Sequence, residues 1–323
     1  MRHILFLLFA FCSPLIAQAQ VKIIFDTDMD TDCDDAGALA ILHALADQAE
    51  AEILATVVSS RYRWSASCVE AINRYYGRGQ LPIGVPKSEW TDTGRRGSRY
   101  AKQISERFET RLQTNDDAPD AVDVYRRVLA AEQDNSVVVV TVGYLTNLRD
   151  LLHSEPDAIS PLAGPELVRR KVRHWVCMGG RYPEHLDPGV FGNFKPDPSS
   201  AVIAANQWPT PIYFSGLGEE IGTGGRLRET PSDNPVRQVY HLYLGDKRTR
   251  PSWDPIAVLY AVRPRADFWK IRSDGKNHIF DNGTNQWRSG AATNHRLVEL
   301  QPEAGERLRE VLDGLMVQSP WAR

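Results

Sequence analysis

The sequence predicts an α/β fold, a mainly parallel open sheet with helices on both faces, in a single domain. Three observations carry this. Short β-branched runs alternate with amphipathic stretches along most of the chain, the pattern of strand–helix–strand units. The run Val137-Val138-Val139-Val140-Thr141-Val142 has no polar alternation, as expected of a central strand buried on both sides. A dense acidic cluster follows one apolar run and precedes an Ala/Leu-rich one, so it falls at a strand-to-helix junction, the edge where ligands gather in open parallel sheets.

Taken in order, Met1-Arg2-His3, the apolar stretch from Ile4 to Ile16 and Ala17-Gln18-Ala19 have the charged start, hydrophobic centre and small-x-small site of a secretory signal peptide. Cleavage is expected after Ala19. A membrane anchor takes roughly 20 apolar residues, and this run is shorter, with Pro14 inside it. Cys12 invites a lipoprotein reading, but Phe11 precedes it where a small residue is needed. The expectation is a soluble exported protein, periplasmic or secreted, with residues 20–323 forming the α/β domain.

Strands are expected over residues 22–25, 52–58, 136–142, 174–178 and 211–214, and helices over 37–47, 66–76, 121–132, 146–153 and 199–206. Residues 81–85 are also strand-like. Gly143 ends the valine strand, and Thr146 is positioned to cap the next helix. Residues 87–119 are rich in Gly, Arg, Thr and Asp and read as a long loop with one short helix over 100–111; residues 179–198 form a second irregular region. Long loops at the ligand edge of such a sheet are often lids.

The composition, 42% hydrophobic and 24% charged over 323 residues, is that of a globular chain with ample core. The net charge is −3, with basic residues scattered rather than gathered into an aromatic-interleaved stripe, which argues against nucleic-acid binding. Beyond the leader stand Cys33, Cys68 and Cys177, an odd number with wide spacing and no disulfide framework. One bridge or three buried thiols are both compatible with an oxidising compartment.

The acidic cluster places Asp26, Asp28, Asp30, Asp32, Asp34 and Asp35 within ten residues. Carboxylates so close repel, and one must take up a proton unless a positive charge is supplied. A hard divalent cation is the simplest remedy. Acids at a helix start are favoured by about 0.3–1 kcal/mol each through capping and the dipole, which accounts for one or two but not for six. An EF-hand loop fails in both frames: starting at Asp26 puts Thr31 and Gly37 where Gly and Glu belong, and starting at Asp28 puts Cys33 and Leu39 there. A haloacid-dehalogenase-like magnesium phosphatase would use Asp26 as nucleophile. Phe25-Asp26-Thr27-Asp28-Met29 fits its opening, but Asp30 stands where a hydroxyl or β-branched residue belongs.

Ile23-Ile24-Phe25-Asp26-Thr27-Asp28 and Asp34-Asp35-Ala36-Gly37-Ala38-Leu39 closely resemble the amino-terminal signature of the nucleoside hydrolases: a strand, Asp-x-Asp, a turn, then Asp-Asp and an Ala/Leu-rich helix. The turn from Met29 to Cys33 is longer than the commonest family form. Asp28 is preferred as the second Asp of the opening pair, with Asp30 and Asp32 as alternatives. Val142-Gly143-Tyr144-Leu145-Thr146-Asn147 is similar to the family turn whose first residue offers a backbone carbonyl to calcium; read locally it is a strand end and a helix start. Trp175 to Gly180 resembles the strand entering the sugar loop. Gly192-Asn193-Phe194-Lys195-Pro196-Asp197-Pro198 resembles the segment in which an Asn binds ribose and Asp-Pro starts a helix. Asn beside Gly is also a common turn pair. Phe191 stands where family members usually carry Glu, so one arm to the sugar's 5′ end is missing or supplied from elsewhere.

Trp253-Asp254-Pro255 resembles the family's carboxy-terminal His-Asp-Pro element, although Asp-Pro is also a routine helix start. The inosine-uridine-preferring branch has His where this chain has Trp253. The purine-specific branch is similar to this chain in placing a Trp there to stack on the base, and Trp90 is the best candidate for a second aromatic. The resemblance implies Ca2+ held by Asp28, Asp35, Asp254 and the Val142 carbonyl, with Asp32 able to share ligation. It further implies Asp28 as the base that activates water, Asp34 and Asn193 on ribose hydroxyls, Trp253 and Trp90 around the base, and Asp26 orienting its neighbours. The activity implied is calcium-dependent hydrolysis of the N-glycosidic bond of purine ribonucleosides, on a small-molecule nucleoside, by a homo-oligomer of the dimer or tetramer type found in the family. The alternatives are the magnesium phosphatase and a non-catalytic nucleoside- or sugar-binding protein.

Overall fold

A run of β-branched residues flanked by acids and turns gives the first strand, β1 (Val21–Thr27), and the elements that follow alternate as the pattern requires. They are α1 (Asp34–Asp47), β2 (Ala51–Val58), α2 (Ser65–Tyr75), β3 (Ile83–Gly84), α3 (Ala101–Arg107), α4 (Ala121–Ala131) and β4 (Val137–Thr141). Next come α5 (Thr146–His153), α6 (Gly164–Lys171), β5 (Val172–Met178), β6 (Glu184–His185), α7 (Pro198–Gln207), β7 (Ile212–Ser215) and β8 (Gly222–Thr223). The carboxy-terminal part holds α8 (Pro235–Leu244), β9 (Arg250–Pro251), α9 (Trp253–Val262), β10 (Trp269–Arg272), β11 (Lys276–Ile279), β12 (Asn285–Arg288), β13 (His295–Leu300) and α10 (Gly305–Met316). The computed structural model describes residues 19–88, 97–245 and 249–321. The signal-peptide reading therefore falls almost wholly outside the described residues, and so does Trp90. No helix among the described residues is long and apolar enough to cross a membrane.

The main sheet has eight strands in the order β10-β13-β7-β5-β4-β1-β2-β3, all parallel except β10 against β13. The valine strand β4 is buried along its whole length between β1 and β5. Its alternate residues feed two cores. Val138 and Val140 join Ile23, Phe25 and Val176 under α1, α9 and α10 through Leu39, Leu259 and Leu312. Val137 and Val139 join Ile24, Trp175 and Cys177 under α4, α5, α6 and α7 through Val124, Leu148, Leu167 and Ala204. Helix α1 is buried on nearly every side because α9, α10 and β2 all pack on it, which explains its Ala/Leu-rich composition.

The predicted strands and helices appear within a few residues of the expected bounds. Two local expectations are corrected, and a choice left open between two readings of the cysteines is decided. Thr146 is not a cap: α5 begins with Thr146 itself, and its hydroxyl donates to Asp197 Oδ2 at 2.7 Å. Residues 179–198 are not wholly irregular, because β6 pairs with β12 in a small antiparallel sheet β11-β12-β6. The three thiols are buried and unbridged, the second of the two cysteine readings.

Candidate active site

The carboxyl ends of β1, β4 and β5 and the start of α9 converge on one cavity of about 200 Å³. Asp28, Asp32, Asp34 and Asp254 line it together with Met178, Arg181, His185, Phe191 and Asn193 of the 178–193 segment, and with Val142, Arg250 and Trp253. Every expected site residue among the described ones lines this cavity except Asp35, which is fully buried behind it. A larger cavity of about 590 Å³ runs along α8 and contains none of them.

The aspartates separate by what they touch. Asp26, inside β1, faces away from the cavity and accepts from the Tyr125 hydroxyl at 2.9 Å and from Asn147 Nδ2 at 3.0 Å. Burial pushes its carboxyl up to about 7 in spite of those donors. An acid so enclosed cannot attack a substrate, which removes the phosphatase arrangement. Asp30 adopts a left-handed backbone at φ 85°, which Asp tolerates better than most residues. Its Oδ1 accepts the backbone N–H groups of Arg99, Tyr100 and Ala101 at 2.9–3.0 Å, so it anchors the start of α3 and is not a cavity residue. The adjacent Met29 is buried in the core, with its carbonyl accepting from Ser65 Oγ at 2.7 Å. The lengthened turn is thus consumed in tying β1 to α2 and α3.

Asp28 and Asp35 are the buried pair. Asp35 accepts a short hydrogen bond from the Thr27 hydroxyl, while Oδ2 of Asp28 and Oδ2 of Asp35 have no hydrogen-bond partner. Burial, then the Asp32 charge, holds Asp28 well above the ordinary carboxylate range; burial, then Asp28, does the same for Asp35. Gly143 makes the close approach to Asp28 possible, since a Cβ there would sit 2.4 Å from the Asp28 backbone nitrogen.

Asp34 lies in the first turn of α1 and accepts from the Asp254 backbone N–H at 3.3 Å. Oxygens of Asp32, Asp34 and Asp254 come within 4.8 Å of one another. Asp34, expected on the sugar, therefore stands with the acids able to hold a cation. Burial raises Asp34 and Asp254 as well, followed by the charge of Asp32 on Asp34 and of Asp34 on Asp254. The donor set is all oxygen, with two orphaned buried carboxylate atoms. That is what a hard divalent cation such as calcium or magnesium requires.

Arg250 was not foreseen. Its Nη2 donates to Asp32 at 2.7 Å and its Nε to Asp34 at 3.1 Å, so it supplies part of the positive charge the cluster needs. Its guanidinium lies 4.8 Å from the centroid of the Trp253 ring, covering one face of that aromatic. The six aspartates signalled a need for cations, but nothing in the sequence singled out an arginine more than 200 residues away. Asn193 is buried, and its Nδ2 donates to the Val142 carbonyl at 2.7 Å, joining the two segments that the sequence placed separately. Asp197 caps α7 by accepting from Ser200 N. Helix α9 begins at Trp253, not at Asp254, which lies within its first turn.

The family model described as inosine-uridine preferring nucleoside hydrolase matches residues 23–278. Solved structures share the fold. A plant nucleoside hydrolase is 18% identical, with 92% of this chain and 98% of that one covered at a TM-score of 0.65. The inosine-uridine preferring nucleoside hydrolase from Bacillus anthracis is 16% identical, with 91% and 98% covered at 0.65. The purine-preferring ribonucleoside hydrolase from Gardnerella vaginalis is 16% identical, with 91% and 99% covered at 0.67. No curated protein matches the chain.

Proposed function

Since the chain belongs to the inosine-uridine preferring nucleoside hydrolase family, N-glycosyl hydrolases that act on ribonucleosides, we propose that it is a calcium-dependent enzyme with a preference for purine ribonucleosides, releasing free base and ribose. The observation that carries this is the convergence of Asp28, Asp32 and Asp34 from the β1–α1 junction with Asp254 from α9 and Asn193 around one cavity. Asp28, Asp35, Asp254 and the Val142 carbonyl would hold the cation, with Asp32 and Asp34 close enough to share it. Bound there, calcium would neutralise the cluster, orient the ribose diol and acidify water.

The residues do the rest. Scission of the C–N bond develops positive charge on the sugar, and the concentrated carboxylates favour that charge. Asp28 takes the proton of the attacking water. Asn193 and the acidic wall hold the 2′ and 3′ hydroxyls. Trp253 offers the leaving base its free face, with the Arg250 guanidinium behind the ring, and a planar purine gains more from such stacking than a pyrimidine. The residue before Asp254 in the chain is Trp253, not a histidine that could protonate the departing base. From the amino-terminal sequence we also propose export to the periplasm or beyond, and from the family a dimer or tetramer.

Incubation with inosine, guanosine or adenosine is expected to yield free base and ribose. Chelator should abolish the reaction, and Asp28→Asn should lower kcat by about 100-fold or more, the scale of a lost general base. Nucleoside binding without product, measured by calorimetry, would instead favour the non-catalytic binding protein.

A further inference from the structure

His185, the last residue of β6, lines the cavity on the 178–193 segment. It is 6% exposed, and neither ring nitrogen has a well-aligned hydrogen-bond partner, the Asp187 backbone offering only a weak one. Its ring packs against Gly192, where an added Cβ would lie 3.4 Å from His185 Cε1, so the imidazole sits beside the residue that precedes Asn193. A buried imidazole so poorly matched is costly unless something entering the cavity pairs with it. Arg181 lines the same cavity, with Nη2 3.3 Å from Glu219 Oε2 and both side chains about half exposed. No acid of residues 178–193 lines the cavity: Glu184 is exposed and accepts from Gln286, and Asp187 is exposed. Phe191, exposed at the rim, adds no charge. The lining therefore has two sources: carboxylates, with Arg250 among them, from the β1–α1 junction and α9, and an imidazole and a guanidinium from the 178–193 segment. Burial, then Arg181, lowers His185 below the ordinary histidine value, with the weak hydrogen bond to the Asp187 backbone acting in the opposite sense.

The next step rests on the reading of the preceding subsection. With the sugar diol on the carboxylates and the base on C1 against Trp253, C4 lies across the furanose ring from C1, so its exocyclic carbon is directed at the segment bearing His185 and Arg181. We propose that these two residues form a subsite for a phosphate ester on that carbon, making nucleoside 5′-monophosphates substrates alongside free nucleosides. The imidazole N–H and the guanidinium donate to phosphate oxygens, a charge-assisted arrangement that a carboxylate at this position would forbid. The reaction is unchanged in balance. The C–N bond breaks with its electron pair going to the base, which takes a proton from solvent; water adds to C1 with its proton taken by Asp28 and returned to solvent, and the products are free base and ribose 5-phosphate, with no phosphate bond cleaved.

The test is base release from inosine and from inosine 5′-monophosphate by the wild type, His185→Gln, His185→Ala and Arg181→Ala. Calorimetry of the same proteins with ribose and with ribose 5-phosphate accompanies it. The wild type should cleave both substrates. The monophosphate-to-inosine ratio of kcat/KM should fall about tenfold or more in His185→Ala and Arg181→Ala, on the scale of one lost charged hydrogen bond, and less in His185→Gln. Cleavage of inosine alone, or a ratio that neither alanine variant moves, overturns the subsite and leaves the nucleosidase reading intact. If neither substrate is cleaved, the nucleosidase reading fails and calorimetry decides the subsite. Tighter binding of ribose 5-phosphate than of ribose, lost in the alanine variants, supports it, and equal binding overturns it.

Discussion

Asp28 and Asp35 face each other in the interior, each with one oxygen that nothing in the protein satisfies. Such a pair is costly alone and productive once a cation or a shared proton joins it, which is why burial here serves chemistry and not packing. Trp253 shows how one side chain is set by its neighbour. Arg250 covers one face, and in the proposed function the other would receive the base. Trp253→Ala is expected to lower kcat/KM for purine nucleosides by about 10–100-fold, since base–aromatic stacking is worth about 1–3 kcal/mol. Pyrimidine nucleosides should lose less. Steady-state kinetics on inosine and uridine check this, and equal losses on both would remove the stacking role.

Among the elements, the turn between β1 and α1 has two functions. Its outer residues, Asp28 and Asp32, reach the cavity, while Met29 and Asp30 fasten it to the core and to α3. Asp30 accepts three backbone N–H groups at the start of that helix, so Asp30→Ala leaves donors unpaired in a buried place. A loss of about 1–3 kcal/mol in urea unfolding is expected. Fold-level sequence features were legible at this scale because strand and helix periodicities are local. The 22–25 strand, the valine strand and the Ala/Leu helix all form as read. The short strands β10 to β13 and helices α8 and α10 were not read: their strands are four to six residues long and carry charges, and their order in the sheet depends on partners distant in sequence.

For the whole molecule, the acidic cluster couples folding to cation and pH. Asp28, Asp34, Asp35 and Asp254 are all raised above their unfolded values, with burial the largest cause. Without a cation, the folded state keeps protons that the unfolded chain has released. Stability is therefore fullest below the ordinary carboxylate pKa of about 4 and declines as pH rises through the raised values. A divalent cation bound there would take the place of those protons, contributing about 2.7 kcal/mol at 100 times its Kd. The gain in Tm on adding calcium over chelator should accordingly be larger at pH 8 than at pH 5. Thermal melts across that range test it, and a gain independent of pH would contradict the coupling.

The sequence by itself determined the layered α/β architecture, the family and the acidic floor of the site, because each is written in contiguous residues whose spacing has one physical meaning. Tertiary structure alone decided which aspartates share the cavity. It turned Asp26 toward Tyr125 and Asn147, spent Asp30 on α3, and set Asp32 and Asp34 against Arg250. It also brought His185 and Arg181 into the lining of the same cavity as the carboxylates. The reason is the same in each case: a carboxylate's role depends on the nearest opposite charge or donor, and for these residues that partner comes from a segment that only the closed sheet brings near.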